Sequence, residues 1–178
     1  KRLLLIVTTL LLSACAKDNQ SDSPTCDWEI RKPGTYVLDR DMQSATCAIG
    51  IWADDVTLDL GGHRLTGPGT YDHKSYGVYA IGRHRVHVTN GSIEKFAWGV
   101  SLADGRFGGD SVTDMKVSKV DILSAGYIGI GLEGFGSIAV DNTVTNVGGG
   151  SFQSLKYVYG IMFTGRSCLA LRNQVSEV

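Results

Sequence analysis

Two acidic residues, Asp104 and Glu133, follow two copies of a short recurring tetrapeptide. If neighbouring copies lie side by side, their carboxylates can approach to about 5 Å, the separation at which a carboxylate pair cleaves a glycosidic bond with retention. The same oxygens would also suit a Ca²⁺ ion. The alternative is that both are ordinary solvated carboxylates of turns. Asp104 and Glu133 are therefore the candidate catalytic pair.

A second candidate group is aromatic. Alternation along strands that begin near residues 50 and 77 turns Trp52 and Tyr79 outward, with Asp54 at the next outward position. Aromatic faces suit the apolar C–H surface of a sugar ring, so these three residues form the candidate ligand-binding group. The alternative is that the loop 71–76 or the N-terminal segment covers the two rings.

Other kinds of chemistry have weak signals or none. Residues 83–87 (RHRVH) form a small basic cluster that would attract uronates or sulfated sugars, or would simply be a solvated strand edge. The net charge of −1 excludes a generic basic nucleic-acid binder. The sequence contains no paired Cys/His spacing for zinc, no phosphate loop and no nucleophile elbow.

The residues that could do chemistry lie on a repeat. A tetrapeptide of Gly, a β-branched residue, a variable residue and an apolar residue recurs at 50–53, 77–80, 99–102, 129–132 and 160–163, with spacings of 27, 22, 30 and 31 residues. A second alternating patch and a third apolar position follow each copy. Each unit is therefore predicted to contain three short strands separated by turns.

Strands this short cannot fold alone, so the units must stack on one another. Parallel stacking at about 4.8 Å places like residues above like. The inward column predicted in this way is Ile51, Val78, Val100, Ile130 and Ile161. The predicted fold class is all-β, a parallel β-helix solenoid of about five coils with three short strands in each.

Two longer segments and three asparagines carry a family resemblance. PGTYVLD (33–39) and DVTLDLGGHRLTG (55–67) resemble the first coil of right-handed parallel β-helices of the pectin-lyase-like superfamily, including NosD-like proteins with parallel β-helix repeats. The resemblance covers roughly residues 30–178. It implies right-handed winding and a ligand groove on the outer face of the first strand of each coil.

The same resemblance implies an asparagine-bearing turn after the second strand. Asparagine suits such a turn because it tolerates left-handed backbone and its amides can form a ladder. The residues that match this turn are Asn90, Asn142 and Asn173. Lys119 takes that place in the third coil, where the ladder is expected to be interrupted.

The N-terminus is predicted to be a bacterial lipoprotein signal peptide, residues 1–15. Two basic residues precede an apolar run of ten (3–12), which is too short to span a bilayer, and Cys15 follows in a lipobox-like LSAC. Cys15 is thus the predicted lipidation site, the alternative being an ordinary signal peptide with an incidental cysteine. Ala16 favours the outer membrane by analogy, and 16–25 is predicted to be a flexible tether.

Export implies an oxidising compartment, where cysteines can pair. Cys26 and Cys47 are predicted to form a disulfide, the alternative being two buried thiols; Cys168 is then a packed free thiol. Residues 26–48 are the predicted N-terminal cap segment and 49–178 the coils. Since no cap is visible at the end, the sequence is expected to be the N-terminal part of a longer protein.

These features favour an envelope-anchored β-helix lipoprotein that binds a polysaccharide and, in an enzymatic form, cleaves it as a lyase or glycoside hydrolase. Its expected partners are the polysaccharide and, through the lipid anchor, the membrane, with no nucleic acid. One alternative is a non-catalytic scaffold or adhesin of the cell envelope. Another is a NosD-like periplasmic accessory protein. Apart from the Ca²⁺ alternative, no cofactor is implied.

Overall fold

The structure is a computed structural model that describes residues 23–70, 74–105, 111–148 and 158–178. The predicted signal peptide, the predicted lipidation site Cys15 and most of the predicted tether lie outside the described residues. Within the described part every regular element is a β-strand. No helix there is long and apolar enough to cross a membrane.

Six strands form a first sheet, in which every neighbouring pair is parallel. In spatial order they are β1 (Cys26–Ile30), β4 (Cys47–Ile51), β7 (Tyr76–Ile81), β9 (Trp98–Ala103), β11 (Ile128–Glu133) and β14 (Tyr159–Thr164). Consecutive members are separated by two strands or one longer strand of the second sheet, so the chain passes from sheet to sheet and returns one place further along.

The second sheet has ten strands, again parallel throughout. They are β2 (Gly34–Val37), β3 (Met42–Gln43), β5 (Val56–Asp59), β6 (Arg64–Thr66), β8 (Val86–Glu94), β10 (Lys116–Leu123), β12 (Ile138–Val140), β13 (Thr143–Thr145), β15 (Leu169–Leu171) and β16 (Gln174–Ser176). The predicted second and third strands of each unit all lie here, and in β8 and β10 they are continuous. The segment 26–48 also supplies strands, because β1, β2 and β3 pair with β4, β5 and β6.

The register of the first sheet tests the predicted inward column. Val78, Val100, Ile130 and Ile161 pair in succession, as expected. The prediction is wrong at its first member, because Ile49 lies beside Val78 and Ile51 beside Ala80. The tetrapeptide repeat aligns Gly50 with Gly77, whereas the strand pairing places Gly50 beside Tyr79. The shift is two residues, an even number, so Ile51 still points into the core and is fully buried.

The recurring glycine has a steric cause. A Cβ on Gly77 would lie 2.5 Å from the carbonyl oxygen of Gly99, and one on Gly99 would lie 2.5 Å from that of Gly129. The same relation links Gly129 to Gly160, at 2.6 Å. The backbones of neighbouring repeats are therefore in contact at this position, and no side chain fits between them. This contact explains why glycine recurs there in the sequence.

The asparagine prediction holds only in part. At the turn after the second-sheet strand, the residues in left-handed backbone are Asn90, Lys119, Asp141 and Arg172, with φ of 59°, 54°, 57° and 49°. Asn142 and Asn173 thus lie one residue after the left-handed position that they were predicted to occupy. There they do form a ladder: Asn142 Nδ2 donates to Asn173 Oδ1 at 2.9 Å. Asn90 takes no part in it and donates to Asp59 instead.

The core lies between the two sheets, where apolar side chains of the first four repeats are stacked and buried, whereas Leu169 and Val175 of the fifth repeat are 44% and 47% exposed. The largest of these side chains are Ile30, Ile49, Ile51, Leu58, Leu60, Leu65, Ile93, Phe96, Leu102, Met115, Ile122 and Ile130. An all-β chain with parallel sheets and residue-by-residue stacking of repeats is consistent with a β-solenoid.

Candidate functional site

The outer face of the first sheet carries a row of aromatic side chains. Tyr76 and Trp98 lie on neighbouring strands with ring centroids 6.0 Å apart and planes at 28°. Tyr79 meets Tyr76 edge-on at 4.9 Å and Trp52 at 5.7 Å. These four residues, the aromatic row, hold one another at distances typical of favourable ring pairs.

Strand register explains why a cleft opens beside this row. Tyr79 on β7 is followed on the next strands by Ser101, Gly131 and Met162. The two middle members of this outward column are small, so they leave a depression between the larger side chains at either end. Gly131 itself is buried, and a Cβ there would meet nothing closer than 3.5 Å, so the depression has room for a methyl group.

The resulting cavity, called here the cleft, has a volume of about 250 Å³. It is lined by Tyr76, Tyr79, Ile81, Trp98, Ser101, Ala103, Gly105, Gly131, Glu133 and Met162. Aromatic rings form one side, and a single carboxylate stands among the described lining residues. An apolar cavity with a few convergent polar groups is the usual form of a small-ligand site.

The two predicted catalytic residues are in contact, but the contact joins the Glu133 carboxylate to the backbone N–H of Asp104. Glu133 Oε2 accepts the N–H of Asp104 at 2.9 Å. Asp104 in turn accepts a hydrogen bond from the hydroxyl of Ser111, while its Oδ2 is buried without a partner in the described part of the chain. Both residues are buried, and of the two only Glu133 lines the cleft. Its carboxylate is thus the acidic group a ligand there would meet.

The predicted ligand-binding group is only partly assembled at the cleft. The predicted outward column is wrong at Trp52, because the register places Gly50 beside Tyr79. The rings of Trp52 and Tyr79 are nevertheless in contact, yet only Tyr79 is a lining residue. Burial raises the pKa of the Tyr79 hydroxyl, against the smaller effect of a hydrogen bond with Ser23. Asp54 is occupied elsewhere, because it accepts the N–H of His84 at 3.1 Å.

Sequence reasoning missed Tyr76 and Trp98, which lie at the centre of the aromatic row. Both stand one residue before the recurring glycine, at positions that pair with each other on β7 and β9. That place is held by Ile128 in the following strand and by Tyr159 in the next. The available signal was therefore a large apolar residue before each glycine.

The disulfide lies at one end of the row. Cys26 and Cys47 pair across β1 and β4, with Cα atoms 4.4 Å apart and their sulfurs bonded. They pack against Tyr79. A Cβ on Gly50 would fall 2.8 Å from Cys26 Sγ, so glycine is needed beside the bridge. Cys168 is a free thiol whose Sγ lies 3.4 Å from the carbonyl oxygen of Gly134.

The basic cluster 83–87 faces other protein groups. Arg83 donates to the carbonyl oxygen of Ile81. Arg85 makes a two-pronged ion pair with Asp55, and this hydrogen bond is the main cause of the lowered pKa of Asp55. His87 Nε2 lies 2.8 Å from the hydroxyl of Ser118. None of these basic side chains lines the cleft.

Metal binding finds no support in the described residues. No group of three His, Cys, Asp or Glu side chains there is placed to hold an ion, so the Ca²⁺ alternative has no site in that part. Two polar atoms near the cleft are buried without a hydrogen-bond partner among the described residues, Trp98 Nε1 and Thr164 Oγ1. Thr164 lies beside Glu133 on the neighbouring strand.

Comparison of the chain with protein-family models, with curated proteins and with solved structures gives no match in any of the three.

Proposed function

We propose that this protein binds a polysaccharide in the cleft on the outer face of the first sheet. The observation that carries the proposal is the stacked pair of Tyr76 and Trp98 on the cleft wall, with Glu133 in the same lining. Aromatic faces attract the C–H surface of a sugar ring, and a carboxylate accepts hydrogen bonds from its hydroxyls. The cleft runs across several parallel strands, a shape that suits successive units of a chain.

The proposed scaffold is a right-handed parallel β-helix of about five coils that resembles the pectin-lyase-like superfamily. Two observations support this interpretation. Equivalent residues of successive repeats pair in parallel in both sheets. Crossover connections between parallel strands of one sheet are right-handed in about 98% of cases.

The proposed location is the bacterial cell envelope, with lipid on Cys15 and the tether 16–25 linking the solenoid to the outer membrane. The disulfide between Cys26 and Cys47 supports export, because such bonds persist in oxidising compartments. The charged residues and short apolar run before Cys15 suit an export signal.

Binding is proposed in preference to cleavage. A retaining hydrolase needs two carboxylates facing the same bond, yet of Asp104 and Glu133 only the latter lines the cleft. A lyase needs a cation and a basic side chain near the sugar, and the described lining residues include no Lys, Arg or His. The cleft as described supplies contacts for a sugar but an incomplete set of groups for breaking it.

Replacement of Trp98 by Ala tests the proposal. The soluble form from residue 16 onward, without the lipid anchor, is titrated with a panel of oligosaccharides by calorimetry. Removing the indole should weaken binding by about 1–3 kcal/mol, since it deletes a stacking surface. Trp28→Ala is the matched control, because Trp28 packs edge-on against Tyr36 at 6.2 Å and does not line the cleft. No binding to any glycan, or equal binding by the Trp98 variant and the wild type, would contradict the proposal.

A further inference from the structure

We infer that the cleft selects polysaccharides without anionic groups, and that Glu133 is the residue that discriminates against uronates. This inference rests on the proposed function and names its substrate class. The observation behind it is the distribution of charge around the cleft, which is the reverse of what a site for acidic sugars requires.

Glu133 contributes the one charged group among the described lining residues. Its side chain belongs to a residue only 6% exposed, so water screens the carboxylate weakly. One oxygen is held by the N–H of Asp104, which fixes the carboxylate in place. A sugar carboxylate that entered the cleft would meet this negative charge in a poorly solvated space.

Two basic residues that follow β7 in the chain, Arg83 and Arg85, do not compensate for that charge. Arg83 is bonded to the backbone of Ile81, and Arg85 to the carboxylate of Asp55. These arginines, which the sequence suggested as partners for acidic sugars, make contacts within the protein and do not line the cleft. Like charges brought together in a binding site, with no cation between them, act against the wrong ligand.

The polar groups of the cleft lining instead suit hydroxyl groups. Glu133 can accept a hydrogen bond at its second oxygen, and the hydroxyl of Ser101 can donate or accept one. Trp98 Nε1 and Thr164 Oγ1 also lack a partner in the described part of the chain, but both atoms are fully buried and Thr164 is not a lining residue. Neutral sugars present donors and acceptors next to apolar C–H faces. Their hydroxyls would satisfy the lining groups without adding charge.

The experiment compares matched pairs of oligosaccharides that share a backbone and differ chiefly in charge. Examples are methyl-esterified and de-esterified oligogalacturonates, and cello-oligosaccharides before and after oxidation at C6. Wild-type protein is expected to bind the neutral member at least about tenfold more tightly. Glu133→Gln, which keeps an oxygen for the Asp104 N–H, should bring the two affinities close together. Glu94→Gln is the control, since Glu94 lies on the second sheet and accepts a hydrogen bond from Thr66.

The possible outcomes separately test glycan binding, the preference for neutral glycans and the role of Glu133. If no member of any pair binds, the proposed function fails. If a uronate binds as tightly as its neutral counterpart, with or without added Ca²⁺, the selectivity fails although the binding function stands. If the preference persists in a folded Glu133→Gln protein, Glu133 is not its cause. If that variant does not fold, Met162→Lys decides, because it adds a cation to the cleft lining: the preference for the neutral member should then shrink, and an unchanged ratio would overturn the inference.

Discussion

The two sheets of this molecule treat their outer faces differently. In β5 of the second sheet, buried and half-exposed residues alternate from Val56 to Asp59, as expected for a strand with one face in water. In β11 of the first sheet, all six residues from Ile128 to Glu133 are buried. The outer face of β5 is partly exposed to water, whereas β11 is buried on both faces.

The difference between the two outer faces coincides with the surface at which glycan binding is proposed. Polar groups dominate the outer face of the second sheet, where His87, Thr89 and Ser118 form one hydrogen-bonded cluster. On the first sheet, rings take their place, and they cover the strands while leaving the cleft open. Contiguous apolar surface on the outside of a protein usually marks a site of interaction.

The largest expected effect comes from removing the disulfide, which braces the aromatic side of this comparison. Replacement of both Cys26 and Cys47 by Ser should lower the free energy of unfolding by about 3 kcal/mol, because the bond closes a loop with a sequence separation of 21 residues. Urea denaturation of the oxidised wild type and of the double variant measures the change.

Cys168→Ser is the control for that experiment, since Cys168 forms no disulfide. Its stability should stay within about 0.5 kcal/mol of the wild type. The disulfide also packs against Tyr79, so the double variant should lose glycan affinity as well. A double variant as stable as the wild type would show that the bridge does not brace the first sheet.

A smaller effect is expected for Gly99→Ala, which tests whether the first sheet tolerates a methyl group on its inner side. The new Cβ would lie 2.5 Å from the Gly129 carbonyl oxygen and 3.0 Å from Ile122. Overpacking of this kind typically costs about 1–3 kcal/mol. Gly131→Ala is the matched control on the outer side, where the nearest atom is 3.5 Å away. Equal stabilities in urea for the two variants would contradict the proposed close stacking of backbones.

Much of the fold could be predicted from the sequence because its repeat is a consequence of packing. The glycine before each β-branched residue marks the point where backbones touch, and the alternating aliphatics mark the core. The first repeat was misaligned because Gly50 also has a cause of its own, the nearby Cys26 sulfur. Two different steric reasons for one residue type look alike in a sequence.

The site was less predictable, because it depends on what lies beside each residue on the next strand. The alternation along the strand predicts that Glu133 points outward, and Glu133 does line the cleft. Asp104 was paired with it by position, but a backbone N–H and not a carboxylate makes the contact. The recurring tetrapeptide begins at Gly99, so it does not include Trp98, the residue before it. The pattern therefore gives no signal for Trp98.

The smallest expected effect belongs to the polar face of the second sheet, at His87. Burial, and to a lesser degree the positive charge of Lys116, lower the pKa of His87 below its usual value near 6.5. The folded state therefore resists protonation more than the unfolded state does. Stability is complete above about pH 6.5 and declines as the pH falls toward the folded pKa.

His87→Gln keeps a polar partner for Ser118 and removes this titration. Between about pH 8 and about pH 5, the wild type should lose more free energy of unfolding than the variant, by less than about 1 kcal/mol because His87 is half-exposed. The lowered carboxylate pKa values of Asp55 and Asp141 affect both proteins equally and act at lower pH. Parallel stability curves for wild type and variant would show that His87 is solvated like a surface residue. In that case the polar side chains on the outer face of the second sheet would simply be exposed to water. The contrast with the buried strand β11 of the first sheet would then be greater than the hydrogen-bonded cluster of His87, Thr89 and Ser118 suggests.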